Sequence, residues 1–389
     1  MPGIKISVEP EIINWIFKNA FTNEAPLEVF NTLENWKNGT IQPTFRQVEK
    51  ISNKIHVPFG YFFLKTPPKE ELPVLEYRTI DSATAGPPSR NVVDTINYAE
   101  SVQDWVRNYQ IANGSERLDF VGLAKNRTSP DEIATTVRKA LNLKLEWFSS
   151  GKNIADNFKF IRSRLESIGV LVFIGGVVGS NTHRKLDISE FRAFTLVDEF
   201  APLIFINGND SDGAKLFSLL HEAIHIWLGI DSFFNVGHSN NNNLRDVEKI
   251  CNAATAELLV PDEIFIAKWA QYSKQLPSKK DVINKLATMF MCGVTTLARR
   301  AKDHKYISSD LYTEIAEEAI ELYKQFLKNR GNGGNFYNTN ANHLDARFLL
   351  MLDSSVREGK TQYTDAYRLT NLNRSTFSQL IEQVKGNRR

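Results

Sequence analysis

Residues 216–229, LFSLLHEAIHIWLG, hold two histidines and a glutamate at a spacing that suits metal chemistry. His221 and His225 are four residues apart, so on a helix their imidazoles project from one face, about one turn apart, and can share one ion. Glu222 follows the first histidine, where its carboxylate can act on water without filling a coordination position. The pattern predicts a mononuclear zinc hydrolase site with Glu222 as its catalytic base.

A third ligand is required, because catalytic zinc takes three protein ligands and keeps a fourth position for water. Glu248 lies 23 residues beyond His225 on the next predicted helix, and Asn252 follows it at i+4, where its amide can hydrogen-bond a ligand imidazole. Glu257 is the alternative ligand, although it falls on roughly the opposite face of that helix, and His238 is a looser alternative in a loop. Zn²⁺ is the expected ion, one per chain, and Mn²⁺ or another divalent ion also suits these ligands.

The composition is that of a folded protein without a membrane span. The chain has 389 residues, 42% of them hydrophobic, and a formal net charge of +2. No run of about 18 apolar residues occurs, and the N-terminal sequence lacks signal-peptide features, so the cytoplasm is the expected compartment and no membrane partner is expected. Cys251 and Cys292 lie in apolar helical patterns and are expected to be small buried side chains, not a disulfide.

The periodicity around the motif predicts helices with a few strands between them. Residues 169–174 form an apolar run that favours a buried strand, and 191–197 with 202–207 read as a hairpin. An extended peptide is expected to pair with an exposed strand edge near residues 202–207. The predicted helices cover about 10–20, 27–36, 44–55, 92–113, 130–143, 158–168, 212–229 and 246–259, with a helix-turn-helix pattern at 279–304.

Three linked stretches resemble the ImmA/IrrE family of metallo-endopeptidases: APLIFING, KLFSLLHEAIHIWLG and EKICNAATAELLVP. With the upstream SIGVLVFIGG and LDISEFRAFTLVD, the resemblance covers about residues 155–305. It implies zinc ligands at His221, His225 and Glu248, the general base at Glu222, and cleavage of peptide bonds, typically in a repressor protein.

Three other segments have a helix-turn-helix pattern, and the third is the C-terminal segment of residues 364–389, which has a basic end. Residues 27–63 resemble a Cro/C1 (XRE)-like DNA-binding domain, yet residues 1–80 hold nine Lys/Arg and nine Asp/Glu, without the basic excess that phosphate binding favours. Residues 278–308 hold seven Lys/Arg against two Asp/Glu, which makes Arg299, Arg300 and Lys302 the candidate nucleic-acid contacts. The alternative for this second segment is a helical cap on the peptidase core with a solvated basic face.

The expected fold is α+β and mostly helical, with a zincin-like peptidase core, a small mixed β-sheet and flanking helix-turn-helix-like domains. The expected divisions are 1–75 (XRE-like), 76–150 (helical connector), 151–275 (metallopeptidase core), 276–330 (helix-turn-helix, winged-helix-like subdomain) and 331–389 (C-terminal helical basic module).

The expected function is cleavage of a protein, with a transcriptional repressor as substrate, in a stress-response, mobile-element or toxin–antitoxin setting. The alternative is a DNA-binding regulator or antitoxin whose metal site is structural or vestigial. A hydrolase of small molecules is disfavoured, because nothing in the sequence indicates a closed, charged pocket.

Overall fold

The structure, a computed structural model, describes residues 4–20, 27–69, 88–230, 242–329 and 344–386. The chain divides into two compact units, one of Met1–Pro73 with Asp81–Asn97 and one of Val74–Ile80 with Tyr98–Arg389. Helix α4 (Arg90–Ala112) belongs to the first unit as far as Asn97 and to the second from Tyr98. The described ranges are mostly helical with a small mixed sheet, which confirms the predicted α+β class.

The first unit is helical, as its sequence predicts. Thr44 starts the third helix with a capping box, in which its hydroxyl accepts from the Gln47 amide at 3.4 Å and its own amide donates to the Gln47 side chain at 2.8 Å. The apolar sides of the helices meet in one core. They are α1 (Pro10–Asn19), α2 (Leu27–Lys37) and α3 (Phe45–Ile55), followed by a 3₁₀ turn at Phe59–Phe63.

The second unit contains a three-stranded sheet in which β5 (Leu203–Asn207) lies between β1 (Leu171–Gly175) and β4 (Ala193–Leu196). Its central strand β5 runs parallel to β1 and antiparallel to β4, and all five residues of β5 are buried. The predicted strand and hairpin are therefore confirmed. The strands are β1 (Leu171–Gly175), β2 (Val177–Val178), β3 (Asn181–Lys185), β4 (Ala193–Leu196) and β5 (Leu203–Asn207), with β2 and β3 forming a separate hairpin.

The expected strand edge at residues 202–207 is wrong. Strand β5 occupies the middle of its sheet and is hydrogen-bonded on both sides, so it has no edge to offer to a substrate peptide. The sequence does not decide between the two positions, because a five-residue apolar run is expected both for a strand in the centre of a sheet and for an edge strand that another element covers. Strand β4, at the edge of the sheet, contacts the histidine helix α7 (Asp212–Leu228).

Most helices of the second unit share one hydrophobic core with this sheet. Buried side chains from the 279–303 helices, such as Leu286 and Leu297, belong to the same core as Leu219 of the histidine helix. This segment therefore packs as part of the core that contains the histidine helix. The helices are α5 (Pro130–Ala140), α6 (Ile154–Ser167), α7 (Asp212–Leu228), α8 (Asn242–Leu259), α9 (Asp262–Tyr272), α10 (Lys279–Phe290), α11 (Val294–Asp303) and α12 (Ser309–Asn329).

Three C-terminal helices complete the second unit: α13 (Ala346–Arg357), α14 (Tyr363–Thr370) and α15 (Arg374–Gly386). Arg162 of α6 holds the start of this segment, since its guanidinium donates to the carbonyls of Val172 and Leu344 at 3.0 Å each. No helix within the described ranges has both the length and the apolar character that a membrane span needs.

A buried ion network joins four helices at the end of α8. Glu257 accepts from Arg138 of α5 and from Arg300 of α11, and its carboxylate also accepts from the Asp262 amide at 3.1 Å. Arg300 and His304 in turn contact the Asp262 carboxylate, at 3.1 and 2.5 Å. The side chains of Arg138, Glu257 and Arg300 are only 10–13% exposed. The network ties helix α8 to the rest of the core.

Replacing Arg300 with methionine is expected to destabilise the protein by about 3 kcal/mol, because it leaves the buried Glu257 carboxylate with one cation fewer. Urea unfolding followed by circular dichroism measures the change. Arg299→Met is the matched control: its side chain is 61% exposed, and the expected change is within about 0.5 kcal/mol. Equal effects of the two replacements would contradict a structural role for the network.

Candidate metal centre

Helix α7 places both histidines inside the core. Ser211 caps its start by accepting from the Ala214 amide, and Gly229 ends it in the left-handed conformation, at φ 60°. The carbonyls of Ile226 and Trp227 at the helix end accept from the amides of Gly122 and Ala124, at 3.0 and 2.7 Å. The helix is thus held at both ends, and from Ser218 to Leu228 it is buried.

Three ligand atoms converge where α7 faces α8. The Nε2 atoms of His221 and His225 lie 3.1 Å apart. The Glu248 carboxylate lies 3.1 Å from Nε2 of His225 and 3.4 Å from Nε2 of His221, and all three donor atoms fall within 4.8 Å of one another. The side chains of His221 and His225 are 1% and 2% exposed, whereas the Glu248 side chain is 20% exposed. The donor set of two imidazoles and one carboxylate fits a catalytic zinc ion, and within the described ranges these three residues would hold it.

Of the alternative ligands, Glu257 does not join this group. Glu257 is held in the ion network with Arg138 and Arg300. His238 lies outside the described residues. Among the residues that the structure does describe, the cluster of metal-ligand type is His221, His225 and Glu248, the set that the sequence favours.

Glu222 is buried next to these ligands, and a threonine holds it. The hydroxyl of Thr195 in β4 donates to Oε2 of Glu222 at 2.8 Å and lies 3.3 Å from the Glu222 carbonyl. Thr195 is fully buried and Glu222 is 3% exposed, so little water competes with this hydrogen bond. The hydrogen bond thereby fixes the orientation of the Glu222 carboxylate.

The sequence pattern alone does not identify Thr195 as part of the site. Its signal was a polar residue inside the apolar strand AFTL, since a buried hydroxyl needs a partner. The residue to which it donates lies 27 positions further along the chain, and only the packing of β4 against α7 identifies it.

The thiol of Cys251 lies beside the other nitrogen of a ligand. Its Sγ is 4.0 Å from Nδ1 of His225, and the residue is fully buried one helical turn after Glu248. The sequence predicts that Cys251 is buried, and the structure confirms this prediction. The sequence alone indicates only a packing role for this side chain. A ligand imidazole is commonly oriented by a partner on its second nitrogen, and here the sulfur atom occupies that place.

Acidic neighbours affect the protonation of His225. Burial lowers its pKa, but Cys251, Glu248 and Glu222 outweigh burial, so this pKa lies well above its ordinary value. A proton and a cation therefore compete for the same pocket, and metal affinity is expected to fall as the pH is lowered.

The remaining candidate residues lie in different surroundings. Asn252 is half-buried on α8, and its predicted hydrogen bond to a ligand imidazole stays a prediction. Arg299 is exposed and pairs with Asp303 of its own helix, and the Lys302 ammonium lies 4.8 Å over the ring of Tyr312. Arg300 is enclosed in the ion network, a position that disfavours a contact with phosphate.

The comparisons with known proteins agree with this geometry. Residues 165–302 match a peptidase family model described as the IrrE N-terminal-like domain, and this range contains all the ligand residues and Glu222. The match supports a zinc metallopeptidase domain of the ImmA/IrrE type. Residues 344–383 match the model of a domain of unknown function. No curated protein and no solved structure matches the chain.

Proposed function

We propose that this chain is a zinc-dependent endopeptidase that cleaves a protein, and that its substrate is a transcriptional repressor. The observation that carries the proposal is the convergence of two buried imidazole nitrogens and one carboxylate within 4.8 Å, beside a buried glutamate that does not belong to the ligand set. A structural zinc site would close its coordination with a fourth protein ligand, whereas an open position is typical of catalysis.

The ligand residues and the base have separate tasks in this proposal. His221, His225 and Glu248 hold the ion, and when bound, zinc supplies the Lewis-acid chemistry that activates water and polarises a peptide carbonyl. Glu222 accepts a proton from the attacking water and delivers it to the nitrogen of the leaving amine. Thr195 orients the Glu222 carboxylate by donating to its Oε2. The neighbouring Cys251 orients His225 through Nδ1.

The repressor part of the proposal rests on family resemblance and on the form of the chain. The match to the IrrE N-terminal-like domain and the XRE-like pattern at residues 27–63 both favour a protein that works on transcriptional control.

Replacing Thr195 with valine, which has nearly the same shape, is expected to lower kcat about ten-fold with little change in KM, because Glu222 loses the donor that orients it. Zinc content should be unchanged, since Thr195 is not a ligand. Thr195→Ser keeps the hydroxyl and should restore most of the rate. Equal losses in the valine and serine variants would show that the methyl group matters and that the hydrogen bond does not.

The test of the function as a whole compares new protein N-termini produced by the zinc-loaded protein and by its Glu222→Gln variant in a lysate of the host cell. The expected result is a small set of zinc-dependent cuts, present only with the unmodified protein, that includes a repressor. Identical termini in both samples would overturn the endopeptidase. Specific cuts confined to proteins that are not repressors would overturn only the substrate.

A further inference from the structure

The last two helices form a pair joined by a very short turn. Helix α14 ends at Thr370 and α15 begins at Arg374, which leaves three residues between them. Asn371 has φ 53°, in the left-handed region that such a tight reversal requires, and Leu372 is buried beneath the turn. Asn373 then caps α15, because its side chain accepts from the Thr376 amide at 3.0 Å. This turn is of the length found in helix-turn-helix units.

A third helix makes the pair rigid. Helices α13, α14 and α15 contact one another pairwise. The ring of Tyr367 in α14 meets that of Phe377 in α15 edge-on at 5.8 Å. The inward faces are buried, with Phe348, Leu352, Ala366, Leu369, Phe377, Leu380 and Ile381 in the interior. The three helices therefore form one packed unit, and the outer side of α15 lies on its surface.

The outer side of α15 is polar over its first two turns. Arg374, Ser375, Ser378 and Gln379 are exposed at positions i, i+1, i+4 and i+5, which lie on one face. No carboxylate occurs among residues 374–381, and the first acid on the helix is Glu382. Within the described part of the chain, no carboxylate pairs with the Arg374 guanidinium, whereas Lys385 on the same helix is bound to Asp353.

These residue types suit the edges of base pairs. Arginine pairs with guanine through two hydrogen bonds, and glutamine does the same with adenine. The serine hydroxyl can either donate a hydrogen bond to a base or accept one from it. In helix-turn-helix proteins, the residues at the start of the second helix contact bases while the first helix crosses the phosphate backbone. Arg368, near the end of α14, is 80% exposed, and its guanidinium lies 3.4 Å from the Asp365 carboxylate of the same helix, an exposed pair that a phosphate can displace.

We propose that residues 344–386 form a DNA-binding helix-turn-helix module in which α15 enters the major groove of double-stranded DNA. Arg374, Ser378 and Gln379 read base edges, and Arg368 contacts phosphate. This assigns a ligand to the segment that matches a domain of unknown function, and it does not depend on peptidase activity. It also differs from the contacts predicted at Arg299, Arg300 and Lys302, which lie on α11.

The experiment selects duplexes bound by the full chain from a library of about 20 random base pairs and then measures the affinity of a selected duplex by fluorescence anisotropy at fixed salt. Arg374→Ala is expected to weaken binding about ten-fold or more. Gln379→Ala should relax the selected sequence at one position, and Arg368→Ala should weaken binding to all sequences alike.

Arg357→Ala is the matched control, since it removes the same charge from the same module at a 62% exposed site that pairs with Asp353 on α13. Its affinity is expected to change less than about two-fold. The proposal is overturned if no sequence is enriched, if Arg357→Ala and Arg374→Ala act equally, or if only Arg299→Ala weakens binding, which would place the DNA on α11. Equal binding of single-stranded RNA would overturn major-groove recognition.

Discussion

Glu222→Gln is expected to reduce the rate of substrate cleavage by about 10²–10⁴-fold, the usual contribution of a general acid–base group. Glutamine keeps the shape of the side chain and can still contact the Thr195 hydroxyl, but its amide cannot accept a proton at neutral pH. The bound metal should stay in place, because Glu222 lies outside the ligand set. The loss should therefore appear in kcat, with substrate binding retained.

Single-turnover cleavage of a peptide that spans the identified cut, with zinc content measured on the same sample, separates catalysis from metal loss. Glu263→Gln is the matched control, because Glu263 is exposed on α9 and the same change of charge there should leave the rate unaltered. A Glu222→Gln protein with full zinc and an unchanged rate would remove Glu222 as the base. A protein that loses its zinc would instead place Glu222 among the ligands.

The part of the site that lies on one helix could be predicted from the sequence. The i, i+4 spacing of His221 and His225 forces both imidazoles onto one face in any helix, and the apolar neighbours guarantee that the helix is buried. Glu248 could be predicted as the third ligand on the single assumption that the next helix packs against this one. Local periodicity also gave the predicted strands and most helix ends within a few residues.

Contacts that depend on tertiary packing could not be predicted in the same way. Thr195 reaches Glu222 from a strand of the sheet, and the position of β5 in the sheet centre depends on β1, which precedes it by about thirty residues. Cys251, at i+3 from Glu248, lies 4.0 Å from Nδ1 of His225, a contact that depends on how α8 packs against α7.

The number of basic residues in a segment also does not show which of their side chains are exposed. Arg299 and Arg300 are adjacent and contribute equally to the basic excess of residues 278–308, yet one side chain is 61% exposed and the other 13%. The buried carboxylate that attracts Arg300 is Glu257, 43 residues earlier in the chain. A basic segment therefore indicates a nucleic-acid surface only after its internal ion pairs are known.

Glu248→Gln is expected to lower zinc affinity by at least about 100-fold, because the loss of a partner outside the coordination shell already costs about 10–100-fold and Glu248 supplies a ligand atom itself. The amide oxygen is a weaker donor and does not neutralise the charge of the ion. Competition with a chromophoric chelator at fixed pH measures the affinity, and cleavage should fall in proportion to the zinc that is lost.

Glu257→Gln provides the control that decides between the two carboxylates of α8. It should leave zinc affinity within about three-fold but destabilise the fold by about 3 kcal/mol, because Arg138 and Arg300 lose the charge that compensates them in a buried place. The two variants thus separate metal binding from stability on one helix. Retained zinc in Glu248→Gln, with loss in a still-folded Glu257→Gln, would exchange their roles and require α8 to present its opposite face to the histidines.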